Sequence, residues 1–230
     1  MKKLGLIGGM GPESTIPYYR DIVYGIKQRV GKDYYPQLTI ESVNVFKVLK
    51  LCRENRHEEL TNYLLEAINN LERSGAEIAA LSANTPHIVF DRLKEQTSIP
   101  LISIIEATCQ EAEHRGLNKI GLLGTIFTMT GDFYKKPFYE KNIEIVVPSS
   151  LSMEFINEKI TKELELGIVK EETRKSFQKI IMQMKDEDNI QAVILGCTEL
   201  PLILSDEVSS VPCLDTMQIH IASIINAILG

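Results

Sequence analysis

The residue with the most evident chemical potential is Cys197, which follows the fully apolar run Ala192–Leu195 and precedes Thr198-Glu199-Leu200-Pro201. The run has the character of a buried strand, and the polar residues after it open like a helix. A thiol at that junction faces unsatisfied amide N–H groups and the positive end of a helix dipole. Both lower its pKa from about 8.5 and supply thiolate at neutral pH. The alternative is a small buried hydrophobe, the usual state of a free cysteine. Cys109, inside the apolar face of a helix, and Cys213, inside a strand, fit that packing role, whereas Cys52 beside Arg53 fits either. The four cysteines form no C-x-x-C pair. With only His57, His87, His114 and His220 beside them they make neither a zinc pattern nor a disulfide framework.

Cys197 has a counterpart. Lys3–Gly9 (KLGLIGG) matches Lys119–Thr125 (KIGLLGT), 116 positions on; Glu77–Asn84 (EIAALSAN) lies over Gln191–Thr198 (QAVILGCT), 114 on; Pro100–Ser103 lies over Pro212–Asp215, 112 on. Three ordered segments at nearly constant offset indicate a duplicated unit, and they set Ala83 opposite Cys197. Two such positions flanking one substrate suit proton removal from one face of a carbon and delivery to the other. Alanine has nothing to titrate, and Ser82 alternates to the other face of its strand, so one half of the pair is missing.

Gly8–Ser14 is a glycine-rich strand-to-helix turn. It lacks G-x-G-x-x-G and the P-loop pattern, so it is no dinucleotide or nucleotide signature. It still offers amides to a carboxylate at a helix start, or is simply a tight turn. His87, four residues past Ala83, reads as a helix-start surface residue rather than a base. No Ser-His-Asp order, paired metal-ligand carboxylates or H-x-x-x-H occurs.

The elements that must position these residues alternate regularly. Strands are expected at 4–8, 38–43, 78–82, 101–105, 120–123, 143–147, 192–195 and 211–214. Helices are expected at 13–30 (with Pro12 at its start), 58–74, 87–95, 107–115, 131–140, 153–166, 170–184 and from Met217 onward. Unalternating strands joined by helices mean an α/β fold with parallel sheets covered on both faces. The duplication divides it into two pseudo-symmetric lobes, 1–116 and 117–216, with the last helix, 217–230, returning to the first. Only Gly116-Leu117-Asn118 links the lobes, which places a cleft between them. Ligands in such sheets bind beyond the carboxyl ends of the strands, here 8–11, 43–46, 83–85, 125–128, 197–199 and 215–216.

Composition narrows the partners. The 230 residues are 44% hydrophobic and 24% charged with a net charge of −6, a soluble globular balance. No Lys/Arg run exceeds Lys135-Lys136, so a nucleic-acid partner is not expected. No apolar run is long enough for a bilayer, and Met1–Gly9 reads as a first strand rather than a signal peptide. A cytoplasmic protein is expected.

Gly8-Gly9-Met10-Gly11-Pro12-Glu13-Ser14-Thr15, Asn84-Thr85-Pro86-His87 and Gly196-Cys197-Thr198-Glu199 together resemble the PLP-independent aspartate/glutamate racemase superfamily, most closely its aspartate racemase branch. The resemblance spans the chain. It implies two flavodoxin-like lobes, an active site in the cleft between them, a homodimer, and cofactor-free two-base racemisation of an acidic amino acid. It makes Cys197 one catalytic base and leaves Ala83 at the position of the missing first base. It gives Asn84, Thr85 and Thr198 to the substrate's α-carboxylate and amine, and Met10 to the pocket wall. The distal carboxylate is expected to meet a cation or polar loop within 47–56, and Cys52 is counted among the binding positions. The vacancy at 83 implies an impaired racemase, either an inactivated variant of a parent with Cys or Thr there or a natural one-base member. One-cysteine members decarboxylate disubstituted malonates and two-cysteine members isomerise maleate, which supplies a second enzyme class. The third alternative is a module that binds an acidic amino acid without turnover.

Overall fold

A computed structural model describes residues 1–31 and 33–230, Pro12 by its backbone alone. In chain order the elements are β1 (Leu4–Gly8), α1 (Pro12–Val30), β2 (Leu38–Ser42), α2 (Val45–Arg53), α3 (His57–Arg73), β3 (Ile78–Leu81), α4 (Phe90–Gln96), β4 (Leu101–Ile102) and α5 (Ile104–His114). They continue with β5 (Lys119–Gly124), α6 (Ile126–Thr130), α7 (Asp132–Glu140), β6 (Glu144–Val146), α8 (Ser150–Lys162), α9 (Glu171–Asp188), β7 (Ala192–Gly196), β8 (Cys213–Asp215) and α10 (Thr216–Leu229). Short 3₁₀ turns occupy Thr85–Val89, Leu164–Leu166 and Leu200–Leu202.

Two compact units result, one of Met1–Ile104 with Met217–Gly230, the other of Ile105–Thr216. Each holds a four-stranded, all-parallel sheet. The order is β2-β1-β3-β4 in the first and β6-β5-β7-β8 in the second. This is one winding used twice, as the internal offsets require, and it follows the doubly wound flavodoxin-like pattern. The central strands β1, β3 and β7 are buried along their whole length, which explains their unalternating apolar sequence.

In the first unit Leu4, Leu6, Ile78 and Ala80 face Tyr18, Ile22 and Ile26 of α1 and Met217, Ile221, Ile224 and Ile228 of α10. The opposite face meets α3, where Leu71 packs so closely on Gly5 that a Cβ there would lie 2.9 Å from it. Both sheets end their first strand alike. A Cβ on Gly8 would lie 2.7 Å from Thr15 Cγ2, and one on Gly124 would lie 3.0 Å from Thr128 Cγ2. In each unit a threonine from the following helix fills the space that glycine leaves.

Some expected elements differ. The 9-residue α2 lies in a stretch where no helix was expected; Asn44 caps it by accepting from the Phe46 and Lys47 amides, and Val48, Leu51 and Cys52 form its buried face. The expected strand 101–105 pairs over only Leu101–Ile102, because α5 already begins at Ile104. The helix expected at 131–140 is preceded by a separate short helix, α6, capped by Thr125. Among the described residues no helix is long and apolar enough to cross a membrane.

Candidate active site

At the carboxyl edge of the first sheet, β1 turns into α1 through Gly9, whose φ of 77° brings its amide within 3.0 Å of Thr15 Oγ1. A side chain here would be strained by that φ and would collide with the Val43 carbonyl. Ser14 donates its hydroxyl to the Ser82 carbonyl, and Ser82 donates to the Ile7 carbonyl at 3.0 Å. Ser82 therefore points into the sheet, as its alternation requires. The next residues form the turn that carries Asn84 and Thr85, both buried, while Ala83 keeps partial access to solvent. Met10 is also buried.

His87 does not lie on the surface. It is 3% exposed and stacks on Phe90, with ring centroids 4.7 Å apart. Burial, reinforced by the charge of nearby His220, pushes its pKa down to about 3, so it is neutral. The turn after Ala83 doubles back into a 3₁₀ segment, Thr85–Val89, and carries the ring inward.

In the segment 47–56 the cations are unequally engaged. Arg56 is tied to Glu54 at 2.7 Å and Glu59 at 2.6 Å. Lys50 lies 4.0 Å from Glu54, and Arg53 donates to the Leu49 carbonyl at 3.3 Å. Lys47, in the first turn of α2, instead sits 3.8 Å over the ring of Tyr63, whose hydroxyl oxygen accepts the Asn44 amide at 2.9 Å. Among the described residues no carboxylate makes an ion-pair contact with Lys47, although its charge acts on Glu59. Cys52 is 1% exposed on the buried face of α2, where burial lifts its thiol to about 11. That is a packing position on the buried face of a helix.

In the second unit Cys197 follows β7 directly and is 8% exposed. Its thiol donates to Glu199 Oε2 at 2.8 Å, and the Thr198 hydroxyl donates to the same oxygen at 3.0 Å. Glu199 is itself only 4% exposed. The expectation of a depressed thiol pKa is overturned. Burial and the adjacent Glu199 carboxylate hold Cys197 well above the ordinary thiol range. The helix invoked for the opposite effect is only the three-residue turn Leu200–Leu202, too short for a substantial dipole. Cys197 is a protonated thiol aimed at a carboxylate.

A second carboxylate, Glu165, is close enough for its charge to act on both Glu199 and Cys197, and its own pKa is raised by burial and by Glu199. It sits on the turn Leu164–Leu166, which buried Glu163 anchors by accepting from Lys159 at 2.7 Å, Lys170 at 3.1 Å and Thr173 at 2.6 Å. Sequence reasoning placed Cys197 at its strand end but passed over Glu199, although a carboxylate two residues after a strand-end thiol was a visible signal. Cys109 donates to the Pro137 carbonyl at 3.3 Å and is buried. Cys213 offers its amide to Asp206 at 2.7 Å. Both are held within their elements as expected. Among the described residues no His, Cys, Asp and Glu group is arranged to hold a metal ion.

The Asp/Glu/Hydantoin racemase family model matches residues 7–224, from β1 into α10. The chain belongs to that family. Among relatives, the broad specificity amino-acid racemase RacX of Bacillus subtilis is 25% identical over 219 residues, covering 93% of this chain and 92% of that protein. A crystal structure of an aspartate racemase homologue from Pyrococcus horikoshii OT3 is 39% identical with a TM-score of 0.83, over the full length of both chains. A candidate Asp/Glu racemase from Yersinia pestis is 35% identical with a TM-score of 0.92, again over both full lengths. Two four-stranded parallel sheets flanked by helices are thus the racemase-family architecture. Within it Cys197, Thr198 and Glu199 occupy the carboxyl end of the third strand of the second sheet, and Ala83, Asn84 and Thr85 the same place in the first.

Proposed function

We propose that the chain acts on the α-carbon of acidic amino acids, aspartate or glutamate, as a cofactor-independent racemase-type enzyme, with Cys197 as its acid–base group on one face. The observation that carries this is the Cys197 thiol hydrogen-bonded to the buried Glu199 carboxylate at a strand end, in a chain of the racemase family. A thiol at rest cannot remove a proton. Glu199 lies where it can accept the S–H proton, leaving a thiolate that takes the α-hydrogen and becomes a thiol again. The α-carbanion then recovers a proton from that thiol, and Glu199 returns its own. Burial of the pair strengthens these transfers by excluding water.

Asn84, Thr85 and Thr198 are the groups proposed for the α-carboxylate and amine, with Met10 lining the pocket. Lys47, held on Tyr63 and feeling the charge of Glu59 without an ion-pair contact to it, suits the distal carboxylate better than Arg56, which is already neutralised by two glutamates. Two-base inversion needs a second titratable group, and the position answering to Cys197 is Ala83. One face alone is therefore served, so α-hydrogen exchange with retention exceeds racemisation. The same vacancy favours a second reading, one-sided protonation after loss of carboxylate from a disubstituted malonate. A cytoplasmic homodimer accompanies the proposal.

The test is α-hydrogen exchange in D₂O followed by NMR with both enantiomers of aspartate and glutamate. Exchange of one enantiomer, abolished by Cys197→Ser, supports the proposal. Binding without exchange in any variant, including Ala83→Cys, leaves a binding module and removes it.

A further inference from the structure

The turn that carries Asn84 and Thr85 is held by an imidazole whose two nitrogens do different work. His87 Nδ1 lies 3.0 Å from the Ala83 carbonyl oxygen, and its Nε2 lies 3.3 Å from the amide nitrogen of Ile104. A carbonyl can only accept and an amide N–H can only donate, so the proton must sit on Nδ1 and Nε2 must be bare. One neutral tautomer satisfies both, and it ties the second residue past β3's end to the residue where α5 begins. A second imidazole grips the same sheet edge in the opposite sense. His220 of α10 points Nε2 at the Ile102 carbonyl at 3.0 Å, with the Tyr18 hydroxyl 2.7 Å from its Nδ1. A path of hydrogen bonds from Tyr18 through His220 to Ile102, along the backbone to Ile104 and on through His87 therefore finishes on the Ala83 carbonyl.

That carbonyl belongs to the planar peptide whose other side is the Asn84 amide. Fixing the oxygen fixes the plane, and with it the direction of the Asn84 N–H and the start of the turn. A residue wanted only for packing would not need either nitrogen, since the stack on Phe90 asks for nothing more than a flat ring. Resting on the amino-acid-binding role proposed for Asn84 and Thr85, we infer that His87 is a positioning residue: by holding the 83–84 peptide between two strand ends, it aims the binding turn at the substrate's α-carboxylate. Position 83 itself contributes through its backbone, so the brace works whatever side chain stands there.

Three substitutions separate this from a packing role. His87→Asn keeps a donor in reach of the Ala83 carbonyl, His87→Gln keeps an acceptor in reach of the Ile104 amide, and His87→Phe keeps only the ring. Each would be measured for KM and kcat of α-hydrogen exchange, for the alkylation rate of Cys197, and for amide hydrogen exchange over 83–87. In His87→Phe, KM is expected to rise about tenfold or more with kcat within about threefold, the Cys197 alkylation rate to stay unchanged, and the 83–87 amides to exchange faster. His87→Asn should recover most of the affinity and protection, and His87→Gln less. Equal effects of all three, or unchanged amide exchange in His87→Phe, overturn the inference. If neither the wild-type chain nor Ala83→Cys exchanges α-hydrogen, the racemase proposal falls on that result alone. The amide exchange then decides the brace by itself: protection lost in His87→Phe and regained in His87→Asn upholds it, and any other pattern removes it.

Discussion

The Cys197 thiol and the Glu199 carboxylate share a hydrogen bond of 2.8 Å, the sulfur donating, and both groups are buried. Burial and proximity to a carboxylate keep the proton on sulfur, so this thiol resists reagents at neutral pH yet has an acceptor in place when a substrate arrives. Glu199→Gln removes the charge that stabilises the S–H. Iodoacetamide should then alkylate Cys197 several-fold faster at pH 7–8 than in the wild type. Exchange of the α-hydrogen should fall by about 10²-fold or more, because the proton acceptor is gone. Slower alkylation together with undiminished exchange would remove Glu199 from the chemistry.

Ala83 sets the second expectation. Ala83→Cys places a titratable group at the duplicate of Cys197. Racemisation, read as loss of optical rotation in a solution of one enantiomer, should rise by about 10²-fold or more over the parent. Ala83→Ser, with a hydroxyl far less acidic than a thiol, should give a much smaller gain. No gain from the cysteine would mean that the first unit does not face the α-carbon.

Lys47 lies 3.8 Å over the Tyr63 ring with no carboxylate in ion-pair contact among the described residues. Lys47→Met keeps the stem and removes the charge. KM for aspartate should rise about 10–100-fold, the range expected for one charged hydrogen bond of about 1.5–3 kcal/mol, while kcat changes little. An equal effect on alanine, which has no distal carboxylate, would assign Lys47 to something other than the side chain.

Acid sensitivity of the first unit follows from its buried histidines. Burial lowers His220 to about 4, and burial with the charge of His220 lowers His87 to about 3, from an ordinary 6.5. Between those values and 6.5 the unfolded chain binds protons that the folded chain refuses, so stability rises with pH. It is fully present above about pH 6.5 and declines below it by up to about 1.4 kcal/mol per pH unit for each histidine. Urea midpoints at pH 7, 6 and 5 should show the slope, and His220→Gln should shallow it. A flat profile from pH 7 to 5 would mean that both rings take up protons without opening the fold.

Much of this was legible from residue patterns. Three repeated segments announced the double winding, and Leu4–Gly8 and Ala192–Leu195 marked strands buried on both faces. Helix α2 was not legible, because nine residues rich in lysine and arginine carry only a short apolar face, Val48, Leu51 and Cys52, and depend on the Asn44 cap. The acid state of Cys197 was misread for a related reason. The sequence suggests a helix after the thiol, but the chain makes only one 3₁₀ turn, and the thiol is governed first by its burial and then by a carboxylate that folds back from two residues away. His87 reads as a surface residue because nothing local tells that the turn after Ala83 carries the ring inward, where Phe90 and the start of α5 receive it.

The brace on the binding turn touches position 83 only at its carbonyl oxygen. Under the proposed function, the stereochemical outcome set at position 83 is therefore separate from the backbone contact that holds the turn. Cysteine, threonine and alanine each present the same backbone carbonyl to His87. A change from inversion to retention at the substrate carbon is then one codon away and nearly neutral for the fold. The same scaffold can be moved between those outcomes, in the laboratory or by drift, with no compensating substitution elsewhere.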